Sequence, residues 1–452
     1  MTDIAETRAQ PVHGVDEVLP TAQMLILALQ HVLVMYSGAI AVPFIIGAAL
    51  NLSHDQITYL IQADLITCGI ATLIQTVGFW RFGIRLPLMQ GLTFASISPV
   101  IAIASDPTLS AAGPTAGLQA VYGAVIVSGL VAIAVAPAGR FIVRLFPPVV
   151  VGSVLAVIGL SLLPVAITYA AGGYVPDAGA PKYVAIAFAV LAVVILLNVF
   201  GRGFIRNVAI FVGILFGIAM SGMMGLLDFS NVGSDRIVSV VTPFYFGAPT
   251  FHVIPILSMV LVIAITWVES VGDAIVVGEM VDRKPTSRNI SDLIRADGLS
   301  TVIGGVMNSF QYTAFSENVA LVSITRVRSR WVVALAGIFL LILGLSPTLA
   351  GIAAGIPKAV IGGAGFMMFG TLVVVGIKTL RRVDFDGDFR NFIIVGLSVA
   401  MAMIAIIKPD FFAFMPDWAQ VIFKSPVIMG AIAAIFLNLI LHGLHEGLGE
   451  EA

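Results

Sequence analysis

The stretch from Glu317 to Arg326, Glu-Asn-Val-Ala-Leu-Val-Ser-Ile-Thr-Arg, sets a carboxylate inside an apolar run. Further acids stand nearby at comparable depth: Glu269 and Asp273 in Ile-Thr-Trp-Val-Glu-Ser-Val-Gly-Asp, and Asp297 in Arg-Ala-Asp-Gly-Leu. An ionisable group in hydrocarbon is costly, so it faces a cavity and marks a substrate or ion path. Acids at 269, 297 and 317 fall within 49 residues, a concentration that predicts a transport site.

Glu269 and Asp273 are four residues apart and share one helix face. Asp273, nearer the helix end, could instead reach the interface or pair with an arginine. Glu317 opens a short segment and can face a cavity shared with Glu269. Carboxylates buried together resist ionisation, and a proton held by one of the pair suits proton coupling. Asn318 both donates and accepts, so it could orient either acid or simply satisfy local backbone groups. Asp297 could relay protons or cap the backbone of a broken neighbouring segment. His31, a lone histidine in an apolar run, is read as bonding a neighbouring helix, and Asp64 as a helix-packing partner.

The elements that hold these residues are membrane spans. Of 452 residues 59% are hydrophobic and only 11% charged, with a mean hydropathy of +1.05. Soluble domains carry about 25% charged residues, and a soluble protein of this size could not hide so much apolar surface. The alternating segments of about ten residues that mark an outer-membrane barrel are missing. The chain is therefore an all-α polytopic membrane protein. A net charge of −2 argues against a nucleic-acid partner, and the single cysteine, Cys68, excludes a disulfide framework or a multi-cysteine metal site. No cofactor or metal is implied. The first 20 residues, with Asp3, Glu6, Arg8, Asp16 and Glu17, lack the order of a signal peptide. They predict a cytoplasmic tail before an uncleaved first span.

Runs of about 20 apolar residues predict fourteen spans, near 22–49, 56–79, 88–104, 115–137, 145–169, 183–200, 207–226, 253–279, 291–307, 314–325, 331–348, 358–377, 391–407 and 425–442. With the N-terminus inside, 18 of the 23 lysines and arginines fall on the cytoplasmic side and 5 outside, as the positive-inside rule requires. Both termini are then cytoplasmic. The third and tenth spans are too short to cross as complete helices, and both are rich in small and polar residues: Gly91, Thr93, Ser96 and Ser98 in one, Ser316, Asn318 and Ser323 in the other. They stand seven spans apart, the spacing of an inverted repeat, and such paired interruptions point to a transporter's binding site. A packing role alone would leave the adjacent carboxylate unexplained. The basic run Arg326, Arg328, Arg330 reads as a topology signal. Gly362-Gly363-Ala-Gly365 reads as a close helix approach. No Lys-Ser/Thr follows it, so it is not a phosphate loop.

These residues carry a resemblance. The chain resembles the nucleobase–ascorbate transporter family, the xanthine/uracil permeases, over nearly its whole length. The likeness rests on Gln30-His31, Gly91-Leu-Thr-Phe94, Glu269-Ser-Val-Gly-Asp273, Asp297-Gly298 and, most specifically, the signature Gln/Glu/Pro-Asn-x-Gly-x4-Thr-Arg/Lys/Gly from Glu317 to Arg326. The signature's glycine is replaced by Ala320, a small residue that still permits close packing.

The resemblance implies two inverted sets of seven spans, with spans three and ten each a short strand plus a half-helix and a nucleobase held between them. It implies a core domain of spans 1–4 (22–138) and 8–11 (251–348), and a gate domain of spans 5–7 (139–250) and 12–14 (349–445). The tails are then 1–21 and 446–452. It further implies a homodimer in the cytoplasmic (inner) membrane that works by elevator movement of the core. By position, Glu269 and Glu317 would hydrogen-bond the base, Phe94 would meet it, and Ser316 would lend backbone contacts. Asn318, Asp273, Asp297 and His31 would support the site or the proton path. A Glu at the first signature position resembles uracil-type members. The flanks Tyr-Thr-Ala-Phe-Ser and Ile-Pro-Lys-Ala-Val-Ile-Gly-Gly-Ala-Gly instead resemble the xanthine and urate branch. Proton-coupled import of xanthine or uric acid is the expectation, with uracil:proton symport or sodium coupling as alternatives. A membrane enzyme would need a catalytic cluster or ligands such as His-x-x-x-His, which the sequence lacks, and a channel would use rings of like residues.

Overall fold

In hydrocarbon every backbone polar group must pair internally, so apolar runs wind into helices. The computed structural model describes residues 14–138, 146–227, 238–325 and 327–443, and only the backbone of Ala320, Ser323, Ile324, Asp417, Trp418 and Val421. Arg326, the first thirteen residues and the C-terminal tail from 444 lie outside the described residues, and the side chain of Ala320 outside the described side chains.

Leaving aside helices shorter than eight residues, the chain runs through α1 (Thr21–Ala49), α2 (His54–Val77), β1 (Gln90–Leu92), α3 (Ile97–Ala104), α4 (Ala116–Val135), α5 (Pro148–Ala170), α6 (Pro181–Phe200) and α7 (Ala209–Met223). It continues through α8 (Val253–Met280), α9 (Ser287–Val306), β2 (Tyr312–Ala314), α10 (Ser316–Thr325), α11 (Arg330–Gly344), α12 (Pro347–Ala354), α13 (Lys358–Leu380), α14 (Arg390–Ile407) and α15 (Pro426–Leu441). Among the described residues eight helices are long and apolar enough to cross a membrane, and α11 with α12, bent by 82°, makes up to nine. The bend falls between Gly344 and Pro347, where Ser346 caps the new helix by accepting from the Leu349 N–H at 3.4 Å. The span expected near 331–348 is found as α11 and ends at Gly344, because Pro347 cannot continue its hydrogen-bond ladder. α12 then packs back on α2.

The two segments expected to be interrupted, near 88–104 and 314–325, are each a strand followed by a short helix. β1 and β2 pair antiparallel, Gln90 opposite Ala314, Gly91 opposite Thr313 and Leu92 opposite Tyr312. The pairing extends by Thr93 N–H to Gln311 O at 3.0 Å and Phe315 N–H to Met89 O at 2.9 Å. Phe315 lies in a slot that only glycine permits. A Cβ on Gly91 would stand 2.6 Å from its ring, and one on Gly38 of α1 would stand 2.3 Å away.

Packing falls into two groups. α1, α2, α4, α8, α9 and α11 pack around the β1–β2 ribbon, while α5, α6, α7, α13, α14 and α15 pack on one another. In the second group Gly362 and Gly363 let α13 press on the backbones of Ala170 and Ala187, the close approach expected there. At one end of the first group the segment before α1 acts as a clamp. Asp16 pairs with Arg330 at 2.7 Å and Arg283 at 3.1 Å, and Val15 is wholly buried while its carbonyl accepts the Arg330 N–H. The Arg330 guanidinium also donates to the carbonyls of Thr76 and Val77, at 2.8 and 2.9 Å, which end α2. The basic run thus has structural work beyond topology, and Arg328 pairs with Asp282.

Candidate substrate site at the crossing of the broken helices

The two half-helices begin where the ribbon ends. α10 opens at Ser316, which puts Glu317 in its first turn, where the positive end of the helix dipole favours a carboxylate. On the other side the turn Phe94–Ser96 leads into α3, and the Thr93 hydroxyl oxygen accepts the Ala95 N–H at 3.2 Å. Both breaks therefore bring backbone N–H groups and polar side chains to the same depth.

α8 supplies the facing acids. The Ser316 hydroxyl donates to Asp273 Oδ2 at 2.8 Å, and Glu269, one turn earlier, lies within electrostatic reach of both Asp273 and Glu317. Ser270, beside Glu269, accepts the Ala314 N–H at 2.9 Å and shares a 3.0 Å hydroxyl contact with Thr313, so α8 and β2 are fastened next to the acids. Glu269 and Asp273 are half-buried, and Ser316 and Glu317 are exposed, which makes the gap between α8 and the start of α10 the candidate cleft. Along α8, Gly272, Val276 and Glu279 are also exposed and continue the face of Glu269 and Asp273 toward the helix end that precedes Arg283. A polar cleft reaching acids in the middle of apolar helices can receive a ligand with several N–H donors. Among the described residues, no three His, Cys, Asp or Glu side chains converge as metal ligands.

The other predicted residues divide. Phe94, just after β1, has its ring edge-on to Phe369, 6.0 Å between centroids and 78° between planes. Phe369 belongs to α13 of the second helix group, so this pair bridges the two groups. Sequence reasoning did not single it out, although it stands one turn beyond Gly365 on the glycine-rich helix. Asn318 is buried and turns away from the acids: its amide nitrogen donates to the His31 carbonyl at 2.9 Å and lies 3.1 Å from His31 Nδ1. His31 thus bonds a neighbouring helix, as expected of it, and the pair fastens α10 to α1. Asp297 is wholly buried between α9 and α2, accepting from Gln75 Nε2 at 2.8 Å. Gln75 Oε1 in turn accepts the Ile84 N–H at 3.0 Å.

Comparison with known proteins decides the family. The model of the Permease family, that of the xanthine/uracil permeases, matches residues 22–411. The chain belongs to this family. The permease is 42% identical over 447 residues to the uric acid transporter UacT of Escherichia coli (strain K12), covering 98% of this chain and 91% of the relative. It is 40% identical over 417 residues to the xanthine permease of Bacillus subtilis (strain 168), covering 92% and 93%. Family membership makes it a multi-pass membrane transporter and not an enzyme. In three dimensions the permease is similar to the transmembrane domain of the cyanobacterium bicarbonate transporter BicA, with a TM-score of 0.62 at 16% identity over 92% of this chain and 98% of that one. This likeness concerns the fold alone.

Proposed function

We propose that the permease imports an oxopurine, xanthine or uric acid, across the cytoplasmic membrane in symport with protons. The observation that carries this reading is the bond from Ser316, at the start of half-helix α10 beside Glu317, to Asp273 on α8, one turn beyond Glu269. Xanthine and urate present several ring N–H groups beside carbonyls. Carboxylates accept from the former, and the backbone N–H groups at the half-helix ends donate to the latter. The two relatives named for uric acid and xanthine support the same substrate class. Glu317, whose position resembles uracil-type members, favours uracil as the second reading.

The mechanism we propose is an elevator. The first helix group, carrying the site, is the core, and the second is the gate. Spans one to seven and eight to fourteen form an inverted repeat, both termini are cytoplasmic, and two copies associate. The exposed stripe along α8 leads toward the arginine-bearing end, which supports an arrangement open to the cytoplasm. The Phe94–Phe369 contact joins core and gate beside the site.

Uptake of radiolabelled xanthine, urate and uracil into vesicles with an imposed pH gradient tests the proposal. Accumulation of an oxopurine that collapses with a protonophore is the expected result. Sodium-dependent, protonophore-insensitive uptake would assign the other ion, and uptake of uracil alone the other substrate.

A further inference from the structure

Two buried aspartates hold the same place on the helices that precede the two broken spans. α2 and α9 both open with a capping box, Ser53 with Gln56 and Thr286 with Asn289. In each helix the aspartate stands eleven residues after the N-cap, at Asp64 and Asp297. Neither exposes any surface. A packing role alone does not account for Asp64: packing between apolar helices needs no carboxylate, and burying one is costly unless its hydrogen bonds are supplied.

The donors that reach Asp64 come from a definite direction. Its Oδ1 accepts the Tyr312 hydroxyl at 2.8 Å and the Cys68 thiol at 3.2 Å. The Tyr312 oxygen also meets the Ser309 hydroxyl at 2.7 Å. Tyr312 is the first residue of β2. Its own N–H goes to Thr301 of α9 at 3.2 Å, and two residues on, the Ala314 N–H goes to Ser270 beside Glu269. From there the chain passes through Phe315 into Ser316 and Glu317. A strand of three residues has few ladder bonds of its own, so side-chain ties set where it sits.

We propose that Asp64 is a positioning residue for the substrate site. Its bond to Tyr312 fixes β2 against α2, and with β2 the start of α10, so that the Glu317 carboxylate keeps its place opposite Glu269. The inference rests on the reading that the cleft between these acids binds substrate. It concerns a residue that touches no substrate itself.

The test uses the full-length chain in membrane vesicles, with Tyr312→Phe, Asp64→Ala, Asp64→Asn and the double variant Asp64→Ala/Tyr312→Phe, each normalised to protein in the membrane. Tyr312→Phe keeps the ring and removes the donor, so it tests the tie even if Asp64→Ala fails to fold. For radiolabelled xanthine or urate, Tyr312→Phe and Asp64→Ala should each raise KM by about tenfold, the worth of one hydrogen bond to a carboxylate, while Vmax is largely kept. The double variant should be no worse than the more severe single one, because both remove the same bond. Asp64→Asn keeps an acceptor oxygen and should restore a KM near that of the parent.

Unchanged KM in Tyr312→Phe at normal membrane level would overturn the proposal. So would an Asp64→Asn as impaired as Asp64→Ala beside a normal Tyr312→Phe, since charge and not the tie would then matter. A second readout needs no substrate: hydrogen exchange across residues 309–317 should quicken in Tyr312→Phe, and unchanged protection there would also sink the idea. If the parent chain takes up no oxopurine, the functional reading fails on its own while this exchange measurement still decides the role of Asp64.

Discussion

The Ser316 hydroxyl donates to Asp273 Oδ2 across 2.8 Å, joining the first residue of half-helix α10 to α8 one turn beyond Glu269. The bond holds the two acid-bearing elements in register at the mouth of the cleft. Ser316→Ala removes it and leaves a carboxylate with one donor fewer. Because the serine is open to solvent, water compensates in part, and the expected loss is about 1 kcal/mol, or roughly fivefold in apparent affinity. Ser316→Thr retains the hydroxyl and should stay near the parent. Measuring KM for both variants checks this, and an Ala variant as tight as the parent would show that Asp273 is held by other means.

The Phe94–Phe369 pair gives a second prediction. Edge-to-face aromatic contacts are worth about 0.5–1.5 kcal/mol beyond burial, and this one spans the two helix groups. Movement of one group past the other must break it. Phe369→Ala should therefore raise KM for xanthine and urate several-fold and admit bulkier purines, whereas Phe369→Tyr should keep the parent's selectivity. Competition by a panel of purines against radiolabelled xanthine reads both effects, and identical selectivity in all three proteins would remove Phe369 from the site.

How far the sequence foretells this architecture depends on the range of the interactions involved. The long helices follow from local hydropathy: α2 is predicted at 56–79 and found at His54–Val77, and α8 is predicted at 253–279 and found at Val253–Met280. The polar interruptions near Gly91 and Ser316 mark the two broken spans because hydrocarbon tolerates broken backbone only where protein surrounds it or it lines a cavity. The pairing of Gly91 with Thr313 is a different matter. It joins three-residue strands more than 200 positions apart, and no local pattern encodes that register. Asn318 shows the same limit. Its type announces hydrogen bonding, but only the fold reveals that the amide serves His31 and not Glu269. For Asp64 a signal did exist, in its spacing from Ser53, which repeats that of Asp297 from Thr286.

The clamp before α1 makes a prediction about stability. Arg330 binds Asp16 and donates to both terminal carbonyls of α2, so a single side chain ties three segments. It is only 14% exposed, and its removal strands acceptors in a partly buried setting. Arg330→Ala should cost about 1–3 kcal/mol and lower the unfolding temperature in detergent by a few degrees. Asp16→Asn should cost less, since the guanidinium keeps its carbonyl partners. Equal losses in the two variants would mean that the ion pair alone carries the clamp.

Glu317→Gln separates recognition from coupling, and the contrast with Glu269→Gln gives the prediction its force. Both acids face the cleft, but Glu317 sits in the first turn of α10 and is exposed, whereas Glu269 is half-buried on α8. A half-buried carboxylate that accepts the base's N–H groups loses a charge-assisted hydrogen bond when it becomes an amide, at a cost of about 1.5–3 kcal/mol. Glu269→Gln should therefore weaken apparent affinity by roughly 10- to 150-fold at normal membrane levels. An amide at 317 offers a donor that an ionised Glu lacks, and it cannot take up or release a proton. If Glu317 carries the coupled proton, its Gln variant should exchange labelled substrate across the membrane yet fail to accumulate it against a gradient. Counterflow and concentrative uptake of xanthine, urate and uracil, measured side by side, read the two activities separately. Undiminished accumulation in Glu317→Gln would take that residue off the proton path and leave Glu269, Asp273 or Asp297 to carry the proton.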